Sequence, residues 1–172
     1  SFPITVSQGS RYAISADGSS LYFMEEYNQE KQAGRFVRVP ITESGLGEPE
    51  VLCDEAYSYG LDVNGSIIYY TDIKEEHGSF YQNGVLIDED VYLPSICNAG
   101  DGGFAYLVDD TDDGGTLKIS QNGKAEKLAD DVYAVKSLGE KGLIYLQDYD
   151  MENGCGTLYY SDFHHAEIIE DD

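Results

Sequence analysis

One short motif occurs four times along this chain and restricts its fold more than any other feature. Ile68-Tyr69-Tyr70-Thr71-Asp72 is echoed by Leu21-Tyr22-Phe23-Met24-Glu25, Ala105-Tyr106-Leu107-Val108-Asp109 and Ile144-Tyr145-Leu146-Gln147-Asp148. Each copy runs aliphatic or small, Tyr, apolar, variable, acid, and each follows a glycine-containing turn. The four tyrosines lie 47, 37 and 39 residues apart, a period that fits one small supersecondary unit per copy.

The segments around each motif alternate and turn as antiparallel strands do. In the first copy Tyr12 to Ser15 leads through Asp17-Gly18 to Ser20–Glu26, then Arg35 to Ile41 and Pro49 to Asp54. Asp-Gly between alternating apolar runs predicts a tight hairpin, because both central residues of a type I′ turn need positive φ. Asn64-Gly65, Asn83-Gly84 and Asn122-Gly123 mark similar reversals in later copies, and no long stretch keeps an uninterrupted helical period. Four strands per unit of about 40 residues is the blade of a β-propeller. A blade has two apolar faces and must stack on neighbours to cover them. The expected fold is therefore all-β, with four four-stranded antiparallel blades at 9–56, 57–91, 92–132 and 133–172. Residues 1–8, centred on Ile4-Thr5-Val6, read as the last strand of a preceding blade.

Tyr69-Tyr70-Thr71-Asp72 resembles the Tyr-Trp-Thr-Asp repeat of low-density-lipoprotein-receptor-type propellers, with Tyr in place of Trp. The other copies keep the Tyr and the acid and vary between them. The resemblance is greatest to divergent, acidic, Tyr-rich propellers of bacterial surface proteins whose function is not established. It implies a six-bladed ring, so four blades plus a stray strand read as an open arc or a fragment of a larger ring, the alternative being a closed four-bladed ring.

Only 10 Lys and Arg oppose 33 Asp and Glu, for a net charge of −23. Nucleic acid and anionic membranes would be repelled, whereas a cation or a basic surface would be drawn in. No run approaches the length of a membrane-spanning helix, and no basic-plus-apolar leader opens the sequence. The expected location is extracellular or on the cell surface, with a targeting segment upstream of Ser1. Cys53, Cys97 and Cys155 sit at unrelated places in the repeats; buried thiols, or one disulfide with a free thiol, both fit, and the spacing of a zinc site is missing.

Acidic residues cluster after each motif. Glu25, Glu26, Asp72, Glu76, Asp110, Asp112, Asp150 and Glu152 form the candidate binding set, because hairpin loops on one face of a propeller would pool their charge. Asp109-x-Thr111-x-Asp113-Gly114 and Asp148-x-Asp150-x-Glu152 place oxygens at alternate positions, as calcium loops do, making Asp109, Asp113, Asp148, Asp150 and Glu152 candidate calcium ligands for a weak site. The closing Glu of an EF-hand is missing, and solvated hairpin tips explain the same residues. The motif acids and tyrosines read as architectural. No nucleophile elbow, phosphate loop or metalloprotease motif occurs, and His77, His164 and His165 lie in loop-like surroundings. A non-catalytic module binding protein or carbohydrate without a cofactor is the first expectation. A glycan-active enzyme using two of the carboxylates, and a structural segment whose partner is the missing blades of its own polypeptide, are the alternatives.

Overall fold

The computed structural model describes residues 12–61, 66–121 and 123–170. The strand expected at residues 1–8 and the Asn64-Gly65 turn lie outside them, as does Asn122. Fifteen strands and one 3₁₀ turn account for the regular structure of these residues, with no α-helix among them. The chain divides into two compact units, residues 1–73 with 80–85 and residues 74–79 with 86–172.

In the first unit, β1 (Tyr12–Ile14), β2 (Ser20–Asn28) and β3 (Ala33–Thr42) form an antiparallel meander. The far end of β3 takes β4 (Gly45–Leu46), and its near end takes β5 (Glu50–Ala56). β6 (Ser58–Leu61) then pairs antiparallel with β7 (Ile67–Lys74), and β8 (His77–Gln82) follows. The core is aromatic: Tyr22, Met24, Phe36, Ala56, Ile67 and Tyr69 are buried together. Phe36 stacks on Tyr59 at 4.5 Å between ring centroids and lies 5.5 Å from Tyr69, which itself stacks on Tyr81 at 4.8 Å. Such offset ring pairs add to the stabilisation that burial alone supplies.

The Asp17-Gly18 turn differs from the expected type I′ geometry. Gly18 has positive φ but Asp17 does not. The reason is a side-chain network: the Asp17 carboxylate accepts the Ser15 hydroxyl at 2.6 Å and the Ser19 amide at 2.9 Å. Those bonds hold its pKa down to about 2. Asn83-Gly84, by contrast, has positive φ at both residues.

The second unit holds β9 (Val85–Asn98), β10 (Phe104–Thr111), β11 (Gly114–Gln121), β12 (Lys124–Ser137), β13 (Leu143–Asp150), β14 (Cys155–Ser161) and β15 (Ala166–Glu170), each antiparallel to the next. β12 lies within one continuous ten-stranded antiparallel sheet that runs from β6 to β15, and it pairs with a different neighbour at each end. Its first part pairs with β11 from Lys124 to Val132, and its last part pairs with β13 from Val132 to Ser137. Val132 sits at the change-over, opposite both Gly115 and Gln147. Asp131, just before it, and Asp90, at the matching place in β9, are both in the left-handed conformation (φ 53° and 54°). Ala99, Ala105, Leu107, Leu117, Ile119, Val132, Leu143 and Tyr145 form this unit's core.

Candidate functional site

The recurring acid is explained first by its backbone. Asp109 and Asp110 on β10 oppose the single residue Gly115 on β11, and Asp148 and Tyr149 oppose Gly156, so these two motifs end in a β-bulge. Asp109 and Asp148 take positive φ there (51° and 53°), as does Asp72 (55°). Asp is among the few side chains that tolerate this region. In the first copy the bulge pairs Glu26 and Tyr27 against Gly34, and Glu26 carries the positive φ. The equivalent acid is therefore Glu26, not Glu25, which corrects the sequence register by one residue and puts Phe23 in the place of the motif tyrosine.

In the first unit the acids at this end of the sheet are engaged. Arg35 reaches Glu25 at 3.4 Å, Glu26 at 3.2 Å and Asp54 at 3.4 Å, which raises the guanidinium pKa, chiefly through Glu26. Asp72 accepts the Thr71 hydroxyl at 2.8 Å. Between the start of β3 and the end of β7, the Tyr57 hydroxyl donates to Gln32 Oε1 at 2.9 Å while its amide donates to the Tyr70 carbonyl.

In the second unit the hairpin tips flank the strand change-overs. The Glu76 carbonyl accepts the Leu93 amide at 2.9 Å, and His77 lies 5.3 Å from the ring of Tyr92. Asp110 is close enough to sense both His77 and Asp112: burial pushes its carboxyl pKa up, His77 opposes that, and Asp112 adds to it. At the other change-over the rings of Tyr133 and Tyr149 lie 4.5 Å apart, beside the tip that carries Asp150 and Glu152. Tyr133 is 39% exposed, whereas Tyr92 is partly buried against the core of this unit.

These tyrosines belong to a second repeat that the strand pattern obscures. Asp54-Glu55-Ala56-Tyr57, Glu89-Asp90-Val91-Tyr92 and Asp130-Asp131-Val132-Tyr133 share two acids, a small apolar residue and Tyr. The apolar member is completely buried in all three. The signal was present in the sequence but straddles the boundary between successive units.

The calcium candidates do not converge. Among the described residues no three Asp, Glu, His or Cys side chains come together to hold a metal ion. Asp150 Oδ1 accepts the amides of Glu152 and Asn153, and its Oδ2 accepts the Asn153 side-chain amide at 2.6 Å. Those bonds, the Asn153 side chain first, hold its carboxyl below the usual range. In the other loop Thr111 Oγ1 donates to the Gly114 carbonyl and accepts the Asp113 amide. The oxygens fold back on their own turns.

Lys118 Nζ and the Tyr106 hydroxyl both donate to Asp88 Oδ2, at 2.7 and 3.3 Å, tying β9, β10 and β11 together. Burial, and then Asp88, push the Tyr106 pKa up, the opposite of what an activated phenolate needs. Cys53, Cys97 and Cys155 are free and partly buried, and burial raises Cys97 to about 11. His164 and His165 are exposed, their amides donating to Asp162 Oδ1.

No protein-family profile and no curated protein matches the chain. Among solved structures it is similar to a puromycin hydrolase, with 12% identity over 92% of this chain and a TM-score of 0.49. It is also similar to the WD40 beta propeller domain of Doa1, with 14% identity over 92% of this chain and a TM-score of 0.35. The chain spans 28% of the hydrolase's length and 63% of the WD40 domain's. At these scores neither likeness identifies a family or an activity.

Proposed function

We propose that this chain is a non-catalytic, extracellular or cell-surface module of the β-propeller type, built as four blades, that binds a basic protein segment through its acidic, tyrosine-bearing hairpin edge. The propeller reading is supported by the way antiparallel repeat hairpins share a core within each unit, Met24 and Phe36 with Tyr69 in one and Leu107 and Leu117 with Tyr145 in the other. The surface location draws on the resemblance of the Tyr-Tyr-Thr-Asp repeat; no helix among the described residues is long and apolar enough to cross a membrane.

The observation that carries the binding reading is the setting of Tyr92 and Tyr133. Tyr133 presents an exposed ring packed on Tyr149, the residue before Asp150, and Tyr92 lies against His77, whose charge Asp110 senses. Carboxylates attract a Lys or Arg side chain, and an aromatic face receives it by cation–π contact. A Lys/Arg-rich peptide should bind in low salt and weaken as salt is added, and an acidic peptide of equal length should not bind. Equal binding of both would reject this function.

One observation favours a second reading, a glycan-active enzyme. Asp110 is the carboxyl among the described residues whose pKa is shifted upward, as a general acid requires. Turnover of a glycan that is lost in Asp110→Asn would establish that reading in place of the first.

A further inference from the structure

The two internal stacking contacts follow one rule, and the fourth repeat leaves that rule unfinished. One step back from the last pair before each bulge, two apolar residues face each other across the hairpin: Met24 and Phe36 on β2 and β3, Leu107 and Leu117 on β10 and β11, Leu146 and Leu158 on β13 and β14. The first two pairs are buried. In the first unit, Met24 and Phe36 are covered by Ile67 and Tyr69 of the next motif strand. In the second, Leu107 and Leu117 are covered by Leu143 and Tyr145. Ile67 and Tyr69 stand five and three residues before the left-handed Asp72, and Leu143 and Tyr145 stand at the same places before Asp148. The cover is the same both times: an apolar-x-Tyr strand from another repeat.

Leu146 and Leu158, with the neighbouring pair Ile144 and Tyr160, occupy the equivalent face of the fourth repeat. All four are only half-buried, whereas their counterparts Ala105, Leu107, Leu117 and Ile119 are at most 8% exposed. From this we infer that the Ile144–Leu146–Leu158–Tyr160 face is a docking surface for a further antiparallel sheet of this chain's own repeat type, presenting an apolar-x-Tyr strand. The occupant is defined by the two internal precedents, and the inference stands on the stacking rule rather than on any ligand of the acidic edge. A second copy of the chain is a poorer fit, because the matching face of its first repeat, Phe23, Val37 and Val39, is itself already buried.

Hydroxyl-radical footprinting tests this on the full chain and on the full chain extended by a duplicate of its residues 132–170. Oxidation of the original Tyr160 should fall severalfold in the extended protein, while Met151 at the hairpin tip stays unchanged. Leu158→Glu in the extended protein should restore Tyr160 oxidation. Unchanged Tyr160 oxidation on extension would overturn the inference. Protection of Tyr160 in the unextended chain that rises with concentration, alongside dimers in sedimentation, would also overturn it by naming a second copy as occupant. If the extended chain does not fold, the native chain still decides. Leu146→Asp should leave a cooperative melt where Leu107→Asp abolishes it, and loss of folding in Leu146→Asp would mean the face is already covered.

Discussion

A Cβ placed on Gly115 would lie 2.8 Å from the carbonyl oxygen of Val108, the residue just before the left-handed Asp109. Gly34 stands in the same relation to the Glu25 carbonyl at 2.9 Å, and Gly156 to that of Gln147 at 3.0 Å. The bulge acid and the glycine opposite it form one device: the acid turns the strand, and the glycine lets the displaced carbonyl approach. Gly115→Ala should therefore destabilise the protein by about 2 kcal/mol, the usual cost of overpacking a close contact. Urea unfolding monitored by circular dichroism measures this, and a change within error would mean the bulge relaxes freely.

The acid at the bulge is retained for its backbone tolerance. Asp109→Asn or Asp109→Gly should leave stability nearly unchanged, since both residues accept positive φ, whereas Asp109→Val should cost about 1–2 kcal/mol. Equal losses in all three variants, measured in the same denaturant titrations, would instead assign the carboxylate a bonding role.

Asp110 gives the fold a defined pH response. Its pKa in the folded state is raised, first by burial, so the folded protein holds this proton at pH values where the unfolded chain has released it. Stability linked to this group is present below the ordinary carboxylate range and falls as pH rises through the raised pKa. Asp110→Asn should raise the melting temperature at neutral pH and lose that advantage in acid. A variant that is less stable than the parent at neutral pH would contradict the sign.

Calcium should have no effect on the melting temperature. Asp150 is committed to the Glu152 amide and to Asn153, and among the described residues no three acidic side chains come together. A native-state ligand raises the melting temperature by mass action, so melts with calcium and with chelator distinguish the cases directly. A rise in calcium would show that the loop side chains reorganise around the ion.

Much of the architecture was legible because the Tyr-to-acid motif repeats with its turn residues, and antiparallel strands follow from that pattern. The one-residue offset of the first copy was not legible: Glu25 and Glu26 are both acids, and only the φ of 52° at Glu26 tells them apart. Asp17-Gly18 reads as a two-residue turn in any sequence, yet Ser15 and Ser19 decide its shape through the Asp17 carboxylate. The acidic tips were visible as composition. That Arg35 neutralises the first of them, and that Asp150 bonds its own turn, depends on side-chain geometry. The repeat of Tyr57, Tyr92 and Tyr133 was not legible because it falls where the chain passes from one hairpin to the next.

The proposed binding edge is tested most directly by titrating a Lys/Arg-rich peptide, followed by calorimetry, into the parent chain, into Tyr133→Ser and into Asp110→Asn/Asp112→Asn. Tyr133 is exposed at the edge, so its loss should weaken binding at every salt concentration, while loss of the two carboxylates should weaken it in low salt and flatten its salt dependence. Parent-like affinity and parent-like salt dependence in both variants would contradict the assignment of ligand binding to this edge.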